Sequence, residues 1–590
     1  MAFYTWGGGD DPVVIAPSGG VLGGRKYWVY TVKNGTRITA LTDHAGTSIG
    51  NEVTSNSEGR LQWRINAQTW PTVWLYHQST DNWWGPFLAN EVLPQVPAAI
   101  ANAAAALTVA TQAATALGEI TMPLSSHATA AQLNGTADVG PALQAAGYAL
   151  PAGGGRVTAP AGSVLWFSGS TVCKLRSNVT IDLLGAVVTK TSGSGIYTCF
   201  VAHRVSNIKI VNGYFQGDLA SGGSMCVLAS NRGSNITVEK CEMVGCVIGG
   251  HAFDLGGVNG FRITDCIFRG YSPSTGAPRA EAIQLDISSA GALSFGDPGQ
   301  CDGSMTRNVW VEDCQFLPLT VGGVTYPAPN PVGAHASHEG HRLENIHLSN
   351  LVVVDPVSDP ADTGYGDNGY IRGVFHFTPV KNFHASGVRI VATTPRTIRA
   401  FHFQSLSTGS LDSSDWNTGG TNGTYETPTI SEDIFLREIV IEGLTPAGGE
   451  SATLNPVIVT SGVTGGNIRN VNIDATVKDC GGPGAIVVQK ADGVNVTIHG
   501  DNLANGVVLN SCVNVEAVTG STRQVVKPVT LDDTDDFTIG PFVAKHSSTQ
   551  TAVVTYTNTP TGGSLIGIRK NGFTNHATGT SSGVVTAGNS

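Results

Sequence analysis

The chain has 590 residues, too many for one ordinary core and enough for several domains. Charged residues are 13 % of it and hydrophobic residues 41 %, which excludes a disordered polyelectrolyte and is enough to fill a large interior. The formal net charge is −11 and no basic run occurs, which argues against a nucleic-acid binder and leaves neutral or mildly charged glycans open as partners.

Glycine contributes 75 residues without a Gly-X-Y period, so the glycines serve turns. Many turns imply an all-β chain of short strands. Met1 to Asp10 carry no basic residue and no apolar stretch, so no signal peptide is expected and the chain is read as folding in a cytosol. The ten cysteines are then expected to be reduced, as small buried hydrophobes.

In chain order, residues 1–93 read as a small β domain, rich in tryptophan (Trp6, Trp28, Trp63, Trp70, Trp74, Trp83 and Trp84). Tyr27 to Val32 followed by Asn34-Gly35 is a strand and turn. Residues 94–120 are Ala-rich. Ile100, Ala103, Leu107, Ala110, Ala114 and Leu117 follow the 3-4 spacing of a coiled-coil seam. A helix this short associates to be stable, here as an expected trimer. Alanine is too weakly hydrophobic for a membrane span, so no membrane insertion is expected.

Residues 121–545 begin with Asp138 to Ala146, a short helix, then Gly153-Gly154-Gly155 and a first strand. One pattern then returns: a polar residue, often Asn, followed by apolar-x-apolar. It stands at Asn178-Val179-Thr180-Ile181, Asn207-Ile208-Lys209-Ile210, Asn235-Ile236-Thr237-Val238, Asn308-Val309-Trp310-Val311 and Asn345-Ile346-His347-Leu348. The copies are roughly 25–50 residues apart, the period of a solenoid. Such a unit cannot bury its own apolar face and must stack on its neighbours, roughly 4.8 Å apart, as a parallel β-helix. Longer spacings mark loops that build a binding face. Residues 546–590, rich in Thr, Ser and Gly, are expected to form a C-terminal β cap over the open end.

Two resemblances bear on function. Asp138-x-x-x-Ala142-Leu143-Gln144-Ala145-Ala146, the triple glycine, Pro160-Ala161-Gly162 and Ser177-Asn178-Val179-Thr180-Ile181-Asp182-Leu183-Leu184-Gly185-Ala186 resemble the start of pectate-lyase-like right-handed parallel β-helices. Ile38 to Asp43, Val53 to Arg60 and Trp74-Leu75-Tyr76 are similar to a module of phage minor tail proteins. Together they imply a phage tail fibre or tailspike in the virion, assembled in the host cytoplasm. The first domain would bind other tail proteins, and the β-helix would meet host cell-surface polysaccharide.

A second strand recurs as Ala252-Phe253-Asp254-Leu255, Ala282-Ile283-Gln284-Leu285-Asp286, Gly333-Ala334-His335-Ala336, Val374-Phe375-His376-Phe377 and Ala400-Phe401-His402-Phe403. With the apolar residues inward, Asp254, Gln284 or Asp286, His335, His376 and His402 face outward on successive coils. Carboxylates on adjacent coils lie about 5 Å apart and two coils apart about 10 Å, distances that bracket glycoside hydrolysis. Glu281 to Asp286, Phe295-Gly296, Asp302-Gly303 and Gly333-Ala334-His335 also resemble glycosidase-like β-helix proteins. The resemblance implies active-site roles for Glu281, Asp286, Asp302 and His335. Asp254 joins them as a carboxylate. Gln284, His335, His338, His376 and His402 are the expected substrate contacts. Glu281 and Asp286 are an odd number of positions apart, so an unbroken strand cannot put both on one face. His335, His338 and His341 do not follow a standard metal spacing. No cofactor is expected, with a structural calcium left open. The leading reading is a glycoside hydrolase-type depolymerase of that polysaccharide, and its rivals are a receptor-binding fibre that does not cleave and a purely structural shaft.

Overall fold

The computed structural model describes residues 4–6, 26–30, 37, 41–42, 48–50, 52–54, 63–65, 72–77 and 82–88. It also describes 120–589 apart from 170, 191–194, 220–222, 249, 273–280, 291–299, 335, 359–372, 378, 397, 410–415, 418–422, 446–457 and 482–483. The chain divides into two compact units, Met1–Glu119 and Ile120–Ser590. The first holds two antiparallel four-stranded sheets, one of them ordered Glu52–Thr54, Lys26–Tyr30, Thr72–His77, Asn82–Leu88. The Ala-rich stretch expected to form a trimeric coiled coil lies outside the described residues, as do the tryptophan side chains of this unit.

The second unit is a parallel β-helix. Strands pair parallel with the strand one coil on, which builds three long sheets. At its N-terminal end the helix Gly140–Ala149 buries Ala142, Leu143 and Ala146. Pro141 at its first turn costs nothing there, because those N–H groups have no helical partner. Down the first sheet, Val179, Ile208, Ile236, Phe261, Val309, Ile346, Phe383, Ile434, Val471 and Val494 stand in register. All are buried. Burying each contributes about 1.5–3 kcal/mol, and the column is continuous because every coil repeats the same alternation.

The recurring asparagine has a backbone cause. Asn178, Asn207, Asn235, Asn308, Asn345, Asn382 and Asn470 all have φ between 51° and 65°. This left-handed corner excludes most side chains, and Asn tolerates it. The amides then hydrogen-bond from coil to coil. Asn345 Nδ2 donates to Asn308 Oδ1 at 2.8 Å, and Asn382 Nδ2 donates to Asn345 Oδ1 at 2.6 Å. Gly260 and Gly493 take the same corner in two coils, with φ of 87° and 76°. All ten cysteines are free and buried.

Residues 546–590, expected as a C-terminal β cap, lie in strands that carry on the solenoid. Asp535–Thr557, Thr561–Ile566, Ile568–Thr578 and Ser582–Ala587 continue the parallel pairing. The reason is local: Val554, Leu565 and Ile568 stand in register on the buried Val529, Ile539 and Phe542 and are buried themselves.

On the outer side of the first sheet, Trp310, His347, His384 and Phe435 stand in register and stack face to face. Their ring centroids are 5.7, 5.1 and 4.8 Å apart. Burial pushes both imidazoles below their ordinary value. His347 and Arg437 push His384 down further. A histidine whose folded pKa is lowered binds fewer protons folded than unfolded. The stability it contributes is present above the unfolded value of 6.5 and is lost as pH falls below it. The denaturation midpoint is therefore expected to drop between pH 7.5 and pH 5, with a smaller drop in the double variant H347F/H384F. Carboxylates act at lower pH. An equal drop in parent and variant would remove the stack from this account.

Candidate functional site

The third sheet carries the predicted ladder. Asp254 pairs with Gln284, Gln284 with Gly333, Gly333 with His376, and His376 with His402. Asp286 is two residues beyond Gln284 and pairs with Gly256. Two expectations change. The strand on the middle coil is Asn330–Gly333, with Val332 in the inward column, so Gly333 holds the place expected for His335. His335 itself lies outside the described residues. Nor is the ladder an open face: Asp254, Gln284, Asp286, His376 and His402 are only 0 to 4 % exposed.

Gly333 is what lets this strip pack. A Cβ there would fall on the His376 ring, so only glycine lets the imidazole lie across that coil. His376 Nδ1 donates to the Gly373 carbonyl at 2.9 Å, which turns Nε2 toward Glu281 Oε2, 3.9 Å away. His251 Nδ1 lies 3.8 Å from Glu281 Oε1 and donates to the Glu281 carbonyl at 3.1 Å. Glu281 thus stands between two imidazoles although its position is odd relative to Asp286. It is the first residue of its strand and pairs in register with Asn330 one coil on. Gln284 Nε2 donates to Asp286 Oδ2. Arg399 Nη1 donates to His402 Nδ1 at 3.0 Å, so that nitrogen is an acceptor and the ring carries its proton on Nε2.

His251 and Arg399 went unread in the sequence. A signal exists: His251, Glu281, Asn330 and Arg399 each stand two residues before an inward Phe253, Ile283, Val332 or Phe401. All four are buried. Polar residues at that offset form a second column at the strand start, which a search restricted to alternation overlooks.

The open site adjoins this strip. A cleft of about 520 Å³ lies where the third sheet turns into the first, lined by Arg232, Asn259, Asp302, Arg307, His341 and Arg342 among others. Gly257, on its floor, donates its N–H to the Asp286 carbonyl at 3.1 Å. Asp302 receives Arg232 Nε at 2.9 Å and the Ser304 N–H and hydroxyl at 3.0 and 2.7 Å. Burial works to raise its pKa, but the Ser304 hydrogen bonds and the Arg232 charge hold it below the usual carboxylate range. Of the four predicted catalytic carboxylates, Asp302 is the one that lines this cleft.

Chain that leaves the solenoid forms a wall behind two residues of the cleft lining, His341 and Gly303. Leu406–Gly409 and Gly423–Thr429 form an antiparallel pair. Trp416, between them in sequence, contacts His338 and His341 with centroids 4.7 and 5.3 Å away. The indole lies against Gly303, where a Cβ would fall on its ring. Glu339 fastens the wall by accepting the Glu426 and Thr427 N–H groups at 3.2 and 2.8 Å. Burial, with His338 nearby, pushes the His341 imidazole down. A second pocket of about 250 Å³ shares Gly340 and Arg342 and runs past Thr427 to Ile430. Among the described residues no three His, Cys, Asp or Glu side chains are grouped as a metal ion would need.

No protein-family model matches the chain, and no curated protein matches its sequence. Solved structures are similar in fold. The surface adhesin PfbA of Streptococcus pneumoniae is 12 % identical, over 80 % of this chain and 92 % of that one, with a TM-score of 0.41. The A-module of the Azotobacter vinelandii mannuronan C-5 epimerase AlgE6 is 15 % identical, over 79 % and 99 %, with a TM-score of 0.33. The tailspike of E. coli bacteriophage HK620, solved with a pentasaccharide, is 13 % identical, over 79 % and 80 %, with a TM-score of 0.36. At these identities the likeness is one of fold.

Proposed function

We propose that this chain is a phage tail-fibre or tailspike subunit whose β-helix binds host surface polysaccharide in the cleft between Arg232 and Arg342. The observation that carries the reading is the cleft itself. It opens on a rigid solenoid, is lined by the His341 imidazole and three guanidinium groups, and shares Gly340 and Arg342 with a second pocket. Aromatic faces and bidentate donors beside a carboxylate are what sugar rings and hydroxyls require. In this reading the N-terminal unit attaches to other tail proteins, the Ala-rich segment makes a homotrimer, and the protein resides in the virion.

Hydrolysis is the second reading, favoured by Glu281 standing beside His376 on the strand that carries Asp286. Glycoside hydrolysis needs an acid and a base on either side of the bond. The burial of Glu281 and Asp286, and the Arg232 ion pair on Asp302, weigh toward recognition without cleavage.

Incubating the protein with host surface polysaccharide and sizing the products separates the two. Binding with the polymer intact is the expected outcome. Discrete oligosaccharides with saturated ends, lost in Asp286→Asn while binding persists, would establish the hydrolase instead. No association at all would leave only a structural shaft.

A further inference from the structure

We infer that the cleft is selective for an acidic polysaccharide, with Arg307 as the residue that reads the sugar's negative group. The inference rests on the glycan reading above and names its substrate class. Three guanidinium groups, Arg232, Arg307 and Arg342, line the cleft together with only two carboxylates, Asp302 and Glu344.

Their duties differ. Arg232 is matched by Asp302 at 2.9 Å. Arg342 lies 3.0 Å from Glu432, but Lys381 shares the same carboxylate oxygen at 2.9 Å, so two cations face one anion. Arg307 is exposed at the start of its strand, and among the described residues its side chain makes no ion pair or hydrogen bond. Glu344 is its lateral neighbour in register, and Lys381 neighbours Glu344 on the other side. The first sheet therefore alternates in charge from Arg307 through Glu344, Lys381 and Glu432 to Arg469, and begins on a cation at the cleft.

A guanidinium fork fits a carboxylate or a phosphate through two parallel N–H bonds. His341, on the same lining, has its pKa pushed down by burial and by His338, and its ring nitrogens can hydrogen-bond a sugar hydroxyl. The chain as a whole, with a net charge of −11, repels polyanions. An acidic polymer held by this protein must be held locally.

The test is affinity electrophoresis of the full chain, at about 0.15 M salt to screen distant charges. The gels contain polygalacturonate, alginate, hyaluronan or poly(glycerol phosphate) on the acidic side, and dextran, mannan or arabinogalactan on the neutral side. Retardation by at least one acidic polymer and by no neutral one is expected. The phosphate polymer against the uronates tells which anion is read. Arg307→Gln should weaken retardation at least tenfold, and Arg307→Lys less, since it keeps the charge and loses the fork. Far-UV circular dichroism checks that these variants keep the fold. Retardation by a neutral polymer, unchanged in Arg307→Gln, would overturn the acidic class and leave the glycan reading standing. Acidic retardation unchanged in Arg307→Gln would overturn the role of the cleft. Retardation by none of the polymers would overturn the inference together with the reading it rests on.

Discussion

Asn345→Ala is expected to lower the stability of the β-helix by about 2–5 kcal/mol, and Asn345→Gly by about 1–3 kcal/mol. Asn345 sits at φ 56° in the middle of the amide column. Its Nδ2 donates to Asn308 and its Oδ1 accepts from Asn382. Alanine removes both hydrogen bonds, each contributing roughly 0.5–1.5 kcal/mol, and keeps a Cβ in the left-handed corner, at a cost of roughly 1–2 kcal/mol, without the amide that makes this corner tolerable to Asn. Glycine loses the same hydrogen bonds but is free of the backbone penalty, so the difference between the two variants isolates it. The measurement is the urea midpoint at unchanged slope. Alanine and glycine variants of equal stability would show that the corner conformation is not what selects Asn.

Trp416→Ala is expected to weaken polysaccharide binding by at least about 30-fold, which is roughly 2 kcal/mol, with the β-helix intact. The indole packs behind the cleft, against His338 and against the lining residues His341 and Gly303, and belongs to chain outside the solenoid. Its loss therefore leaves the stacked coils unaltered. Gly303→Ala should reproduce the effect from the opposite side. A Cβ there would fall on the indole, and φ at Gly303 is 73°. Titration of the host polymer against both variants, with circular dichroism as the control, checks the prediction. Two variants that bind like the parent would detach Trp416 from recognition.

The coils were legible because each is specified by its own residues. The Asn corners and the apolar-x-apolar runs are local, and stacking only adds the next copy in register. The ladder Asp254, Gln284, His376 and His402 was legible for the same reason, since alternation along a strand sets which face a side chain takes. The local pattern on the middle coil was ambiguous. Gly333-Ala334-His335 and Asn330-Pro331-Val332-Gly333 both alternate, and only pairing with Ile283 and Phe375 selects the second.

The site was less legible, because its parts come from residues far apart in the chain. Trp416 reaches Gly303 across more than a hundred positions, and Glu339 holds Thr427 from 88 positions away. The burial of the ladder was likewise invisible, since outward on a strand says nothing of what later lies over it. By itself the sequence determined a parallel β-helix, its left-handed corners and the column of polar side chains, because these follow from backbone sterics and alternation within one coil. The tertiary structure alone decided that Glu281 stands beside His376, that the predicted strip is covered, and that the open cleft is the one around Arg307. Those outcomes depend on how loops from different coils pack together, and no local pattern encodes that.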